Sequence, residues 1–218
     1  MYSIAEENYI KSIYHLQRSN DNVGTNELAA DLKTKPASVT DMIKKLQAKG
    51  LLQYEKYYGC QLTASGKALA LSIIRRHRLW EYFLSEKLGF GWEEVHDVAE
   101  QLEHIKSSLL TEKLDAYLGF PRFDPHGDPI PDKQGKMISV EWQNLNEAPV
   151  GKTLKIMGVA SQTQELLEML SRKNLSIGAQ LKITQRFSFD QSIEIELDGA
   201  SGFNISERLA GEVLVKTI

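Results

Sequence analysis

The spacing of apolar residues in the first third of the chain predicts three helices followed by a two-stranded hairpin. Apolar side chains recur at helical intervals over Ile4–Gln17, after Thr25, and from Pro36 to about Lys49. Thr25 suits the cap of the second helix, Pro36 suits the first turn of the third, and Gly50 suits its end. Residues 51–62 then predict two strands that meet at a tight turn. This order of elements is that of a winged helix-turn-helix.

Two long helices are predicted next, over Thr63–Leu88 and Trp92–Leu118, separated by the break at Gly89-Phe90-Gly91. The second helix carries a broad apolar stripe. The stripe consists of Val95, Val98, Ala99, Leu102, Ile105, Leu109, Leu110 and Leu114. A lone helical hairpin does not cover such a stripe, so we expect a symmetric dimer built from these helices.

The last third of the chain has the pattern of short strands. A proline-rich stretch, Phe120–Pro131, precedes it and is expected to be an irregular ordered loop or a linker. One helix, Gln162–Arg172, is expected inside this region, opened by a capping box of Ser161 and Gln164. The predicted strands are residues 153–159, 180–187, 192–197 and 213–217. These elements predict a small barrel-like domain.

Charge is distributed unevenly along the 218 residues. The net charge is −3, but seven lysines outnumber three acidic residues between positions 31 and 67, which is typical of contact with phosphates. The single cysteine, Cys60, excludes an intramolecular disulfide framework and a cysteine-rich zinc site. No apolar run approaches the ~20 residues that span a bilayer, and the N-terminus does not have the pattern of a signal peptide. We therefore expect a cytoplasmic protein with no membrane partner.

The predicted third helix is the candidate DNA-reading element. Recognition helices contact base edges from their N-terminal turns, where small side chains permit close approach and nearby lysines contact phosphates. The candidate DNA-binding residues are Thr25, Lys35, Pro36, Ala37, Ser38, Thr40, Asp41, Lys44, Lys45 and Lys56. A winged helix that serves for protein contact or packing is the alternative.

Histidine and glutamate residues are spaced to share faces of the two long helices. His77 and Glu81 lie four residues apart on the first helix, and the second carries His96, Glu100, Glu103 and His104. Because residues four apart are neighbours on a helix, the two sets predict a divalent-cation site. The alternatives are surface polar groups on a metal-independent regulator and a metal-dependent hydrolase. The hydrolase is disfavoured because no nucleophile elbow, phosphate-binding glycine loop or HExxH motif is present.

Three segments of the chain resemble the diphtheria toxin repressor family, in particular its manganese-transport regulators: KTKPASVTDMIKKLQAKGLLQYEKYYGCQLTASGKALA, RRHRLWEYFL and VHDVAEQLEHI. The resemblance extends through PHGDPIP into a C-terminal region similar to the family's SH3-like ferrous-transport-type module. It implies an α+β protein with three domains: a winged helix-turn-helix over 1–63, an all-α metal-binding and dimerisation domain over 64–136, and a small SH3-like β-barrel over 137–218. It also implies a homodimer that binds a palindromic operator when loaded with metal and represses metal uptake.

The resemblance further implies two ways of dividing the metal ligands. In the short manganese regulators the matching ligands are His77, Glu100, Glu103 and His104, and the ligand from the first helix aligns with Asn8. The second acidic position of that helix aligns with Lys11, which is a departure from the short branch. Both differences predict a weakened or rearranged contribution from the first helix, and they leave open whether Asn8 or its neighbour Glu7 would bind metal.

The longer manganese regulators imply a different grouping. One site would join Glu100 and Glu103 to Asp124 and His126 of the proline-rich loop, where Asp124 replaces a cysteine. The other would consist of His77, Glu81 and His96, with a donor from the small domain such as Gln164. The carboxylate of Glu100 favours Mn(II); Fe(II) is the second candidate, and Zn(II) or Co(II) is expected to substitute in vitro. No small organic ligand is expected.

Overall fold

The computed structural model describes residues 2–18, 20–199 and 202–218. The chain divides into two compact units. The first consists of Met1–Trp80, Ala99–Phe120 and Ile130–Met137; the second consists of Glu81–Val98, Pro121–Pro129 and Ile138–Ile218. In the described part of the chain, no helix combines the length and apolar character needed to cross a membrane.

The winged helix-turn-helix predicted at the N-terminus is present in the first unit. Its elements are α1 Ile4–Leu16, α2 Thr25–Asp31, α3 Pro36–Ala48, β1 Leu52–Glu55 and β2 Gly59–Leu62. Pro36 is the first residue of α3, and Gly50 follows its end with a φ of 70°. Thr25 is not the cap of α2, because that position belongs to Gly24, whose backbone N–H donates to Glu27. The two strands pair antiparallel, with Leu52 opposite Leu62.

The inner faces of these helices and strands form one apolar core. Ile10 and Ile13 of α1 pack with Leu28, Val39 and other buried side chains of α2, α3 and the hairpin. Cys60 lies in the same core, and burial raises the pKa of its thiol to about 11. A structural, unreactive cysteine is the consequence.

The prediction of one helix over Trp92–Leu118 is wrong. The chain forms α5 Val95–Leu102 and α6 Ser108–Tyr117, after the long helix α4 Ala64–Leu88. Two side chains satisfy the backbone groups freed by the interruption: Ser107 accepts from the N–H of Leu110 at 3.2 Å, and Arg76 donates to the carbonyl of Glu103 at 2.5 Å. The interruption therefore carries Glu103 and His104 beyond the end of α5.

The second unit contains a six-stranded antiparallel sheet and two helices: β3 Gln143–Asn144, β4 Thr153–Val159, α7 Gln164–Arg172, β5 Gln180–Arg186, β6 Ile193–Leu197, β7 Phe203–Ile205, α8 Glu207–Glu212 and β8 Val213–Thr217. The strands lie in the order β3-β8-β4-β5-β6-β7. The sequence predicted four of the strands but not β3, β7 or the short helix α8. Thr163, rather than Ser161, caps α7 by accepting from the N–H of Leu166. The sheet and α7 enclose an SH3-like core.

Candidate metal centres and DNA-binding surface

Three buried side chains of the second unit bring together possible metal ligands. Glu81 comes from α4, and Asp124 and His126 come from the proline-rich loop; one ligand atom from each lies within 4.8 Å of the others. Glu81 and His126 are each 1% exposed and Asp124 is 5% exposed. Two carboxylates and an imidazole in this arrangement suit a divalent cation with a preference for oxygen and nitrogen ligands.

Hydrogen bonding fixes the orientation of His126. Its Nε2 lies 2.7 Å from the carbonyl oxygen of Trp92, so Nε2 must donate. In the neutral imidazole the other ring nitrogen, Nδ1, then has a free lone pair; it is buried, has no hydrogen-bond partner among the described residues, and lies 3.8 Å from Oε1 of Glu81. An imidazole oriented in this way by a carbonyl is the usual state of a metal-binding histidine.

The loop that carries Asp124 and His126 is held by its own backbone and by β4. Oδ1 of Asp124 accepts from the N–H groups of His126 and Asp128, each at 2.9 Å, and the carbonyl of His126 accepts from Val159. Gly127 has a φ of 89°, and a Cβ placed there would lie 2.1 Å from the carbonyl oxygen of Met157. A side chain at this position would therefore displace the loop.

The two predicted ligands of the loop lie near a further predicted ligand, Glu81. Asp124 and His126 lie with Glu81 in the second unit, whereas Glu100 and Glu103 belong to the first. His96 also lies near Glu81, with 3.4 Å between Nδ1 and Oε1, and is 43% exposed in its side chain. Gln164 instead donates to Glu168 of its own helix.

A second cluster, in the first unit, contains the other predicted ligands. His77 Nδ1 lies 2.6 Å from Oε2 of Glu103, and His104 Nε2 lies 3.7 Å from Oε1 of Glu103. The partner of His104 Nδ1 is Glu7, at 2.7 Å from Oε2. Asn8 contributes a buried Oδ1 that has no hydrogen-bond partner within the described ranges. These contacts join His77, Glu103, His104 and Glu7 in a second group of possible donors, and Asn8 lies next to Glu7 on α1.

Basic residues already neutralise this first-unit cluster. Lys11 Nζ lies 2.8 Å from Glu100 and 2.7 Å from Glu103. Glu7 is approached by Lys106 at 3.1 Å and by Arg76 at 3.9 Å. Burial disfavours the charged form of Glu103, but the hydrogen bond from His77 and the charge of Lys11 outweigh burial and lower its pKa. Burial lowers the pKa of Arg76.

The candidate DNA-binding residues lie at the start of α2, along α3 and the residue before it, and at the tip of the hairpin. The side chains of Lys35, Pro36, Ala37, Ser38, Asp41, Lys44, Lys45 and Lys56 are exposed, and those of Thr25 and Thr40 are half-buried. Thr40 donates its hydroxyl to the carbonyl of Pro36. At the hairpin tip, Lys56 lies over the ring of Tyr57, 5.0 Å from its centroid, and this ring is 90% exposed. The hairpin thus presents an aromatic and basic tip to solvent.

An ion-pair network joins α1 to the C-terminal half of α3. Glu6, only 1% exposed, lies 2.6 Å from Lys49 Nζ and 3.1 Å from Lys45 Nζ. Burial opposes ionisation of Glu6, but the hydrogen bonds from Lys49, from the backbone of Ser3 and from Lys45 outweigh it and lower its pKa to about 2. Two basic groups at the C-terminal end of α3 are therefore paired with a carboxylate of α1.

We expect Glu6→Gln to lower the free energy of unfolding of the metal-free protein by about 1–2 kcal/mol, because two charged donors lose an ionised acceptor and both lysines can turn to solvent. Urea denaturation would measure the change. Glu55→Gln, at an exposed position on β1, is the matched control and should change stability by less than about 0.5 kcal/mol. Equal stability of the two variants would contradict a structural role for the Glu6 network.

Three family models match successive parts of the chain. The iron-dependent repressor N-terminal DNA-binding domain matches residues 1–60, the iron-dependent repressor metal-binding and dimerisation domain matches residues 63–132, and the FeoA domain matches residues 143–217.

Individual relatives agree with these matches. The chain is 40% identical over 141 residues to the HTH-type transcriptional regulator MntR of Oceanobacillus iheyensis, covering 65% of this chain and 93% of the relative. Among solved structures it is similar to a manganese-dependent transcriptional repressor in complex with manganese, with 33% identity, a TM-score of 0.85 and coverage of 98% of this chain and 100% of that one. ScaR with bound Cd²⁺ has 33% identity, a TM-score of 0.79 and coverage of 98% and 99%.

Proposed function

The chain belongs to the iron-dependent repressor family of metal-dependent DNA-binding repressors, and from this premise we propose that it senses Mn(II), with Fe(II) as the second candidate. Its target is a palindromic operator that controls metal uptake, and it binds as a homodimer. The relatives are named as a transcriptional regulator and a transcriptional repressor, which supports a regulator rather than an enzyme.

The observation that carries the proposal is the buried group of Glu81, Asp124 and His126. These residues would hold the regulatory ion, and the bound ion would supply the positive charge that stabilises two carboxylates close together. His126 is prepared for this role because Trp92 fixes its proton on Nε2. Asp124 is prepared because its Oδ1 orders the loop backbone. With an aspartate where the longer regulators resembled by the chain have cysteine, the ligand set lacks a soft thiolate, which favours Mn(II) or Fe(II) over Zn(II).

We propose a second set of metal ligands in the first unit, which consists of His77, Glu103, His104, Glu7 and Asn8. Glu103 is fully buried, and the two histidines approach its two oxygens. Because Asn8 and Glu7 come from α1, an ion held here would restrain the helix that packs on α2 and α3. Glu100 is proposed as a peripheral member, since it is half-exposed at 47% and pairs with Lys11.

The proposed DNA-binding surface is the N-terminal part of α3 with the hairpin tip. Lys35, Lys44 and Lys56 would contact phosphates, and the small exposed side chains of Ala37 and Ser38 would let the helix approach base edges.

Exposed apolar side chains follow the end of α5 and continue along α6 and the turn after it: Ile105, Leu109, Leu110, Tyr117 and Phe120. We assign these to the homodimer interface, which would set the spacing of the two recognition helices on half-sites about 34 Å apart or a multiple of it.

Operator binding measured by fluorescence anisotropy tests the function. We expect Mn(II) to raise operator affinity by at least about tenfold over the metal-free protein, because coupling between two ligands of one protein is commonly worth 1–3 kcal/mol. Fe(II), titrated without oxygen, should act at higher or similar concentrations, and a chelator should reverse both effects. Operator affinity that is equally tight without metal would overturn the proposal and favour a metal-independent regulator.

A further inference from the structure

Lys11 places its ammonium group between two carboxylates of the first-unit cluster. Nζ lies 2.8 Å from Glu100 Oε1, 2.7 Å from Glu103 Oε1 and 2.9 Å from Glu103 Oε2. The lysine side chain is 13% exposed, and the side chain of Glu103 is fully buried. A cation that is covalently part of α1 therefore already occupies the space between these acids.

Charges within the cluster balance before any metal is added. The three carboxylates of Glu7, Glu100 and Glu103 are matched by the three basic groups of Lys11, Arg76 and Lys106. A divalent ion placed beside the ammonium of Lys11 would meet a like charge in a site where burial strengthens repulsion. No ammonium group is recorded against His104 among the described residues: its Nδ1 lies 2.7 Å from Glu7, and the neighbouring Asn8 has a buried Oδ1 without a hydrogen-bond partner there.

We propose that Lys11 is a tethered cation that takes the place of a metal ion between Glu100 and Glu103, so that the first-unit cluster accepts no more than one ion. This inference rests on the proposed function, since it concerns the same cluster. In the metal-free protein Lys11 joins α1 to α5 and the segment after it by ion pairs. The part of the cluster that responds to metal is then confined to the side of His104, Glu7 and Asn8.

The experiment is to count bound Mn(II) per chain by equilibrium dialysis and elemental analysis for wild type, Lys11→Glu and Lys11→Met. We expect Lys11→Glu to gain one ion per chain, bound at least about tenfold more tightly than any additional ion in wild type, because a repelling charge is replaced by a carboxylate ligand. Lys11→Met should lower the Tm of the metal-free protein and show a larger rise of Tm on adding Mn(II) than wild type. Lys113→Glu, an exposed charge reversal on α6, is the control and should gain no ion.

Repeating the count in the His126→Ala background separates this inference from the proposed function. If the second-unit site is not a metal site, His126→Ala leaves the ion count of wild type unchanged, while the gain from Lys11→Glu is still seen. If Lys11 does not replace a metal ion, Lys11→Glu adds no bound ion, either to the otherwise wild-type chain or to the His126→Ala chain. A Lys11→Met variant that keeps the wild-type Tm and its response to Mn(II) would likewise overturn the inference.

Discussion

His126→Ala is expected to abolish activation by Mn(II) at concentrations that saturate the wild-type protein. Substitution removes the buried Nδ1, which lies 3.8 Å from Glu81 and has no described hydrogen-bond partner. Loss of groups that merely orient metal ligands costs 10–100-fold in affinity, so loss of a ligand should raise the Mn(II) concentration for half-maximal operator binding by at least about 100-fold. Anisotropy titrations with Mn(II) at fixed operator concentration would measure the shift.

Loss of the ligand can be separated from loss of structure in this variant. The backbone bonds that hold the loop, from Val159 to the carbonyl of His126 and from the N–H of His126 to Asp124, do not use the imidazole. His15→Ala is the matched control, because His15 is exposed on α1 and lies outside both donor groups; its titration should match wild type. Activation of His126→Ala at wild-type Mn(II) concentrations would remove the second-unit site from the mechanism.

The sequence predicted most local elements because periodicity reports which side chains face a core. The bounds of α1, α3 and α4 agree with prediction within one or two residues. The break between α5 and α6 was missed because apolar spacing continues across it. The group that satisfies the freed carbonyl of Glu103 is Arg76, 27 residues away in sequence. Ser107, the cap of α6, was the local signal available.

Candidate donor residues can be named from the sequence more readily than the way in which they group in space. Glu81, Asp124 and His126 were all candidates, since residue type and helical spacing are visible in a sequence. Their convergence depends on tertiary contacts, in particular the approach of the loop at Gly127 to the backbone of β4. The choice between Asn8 and Glu7 stayed open because the burial of Glu7, at 2% exposure, arises from packing of α1 and not from any local pattern.

Ala37→Glu is expected to weaken operator binding at least about 100-fold, a loss of roughly 3 kcal/mol, because a carboxylate in the first turn of the recognition helix would face phosphates and acceptor-rich base edges. Folding should not suffer. Ala37 is exposed at the second position of α3, where a negative charge interacts favourably with the helix dipole by about 0.3–1 kcal/mol. The prediction is therefore a protein of equal or greater thermal stability that no longer binds its operator, measured by anisotropy and thermal denaturation.

Gln47→Glu is the control that separates position from charge. Gln47 is exposed in the last turn of the same helix, so the variant adds an equal charge to α3 away from the proposed base-reading turn. Its operator affinity should fall by less than about tenfold, and its dependence on Mn(II) should be unchanged, since only general electrostatic attraction is reduced. If the two variants lose affinity equally, α3 attracts DNA through net charge, and the N-terminal turn does not read the operator. If Ala37→Glu binds like wild type, α3 is not the DNA-reading element.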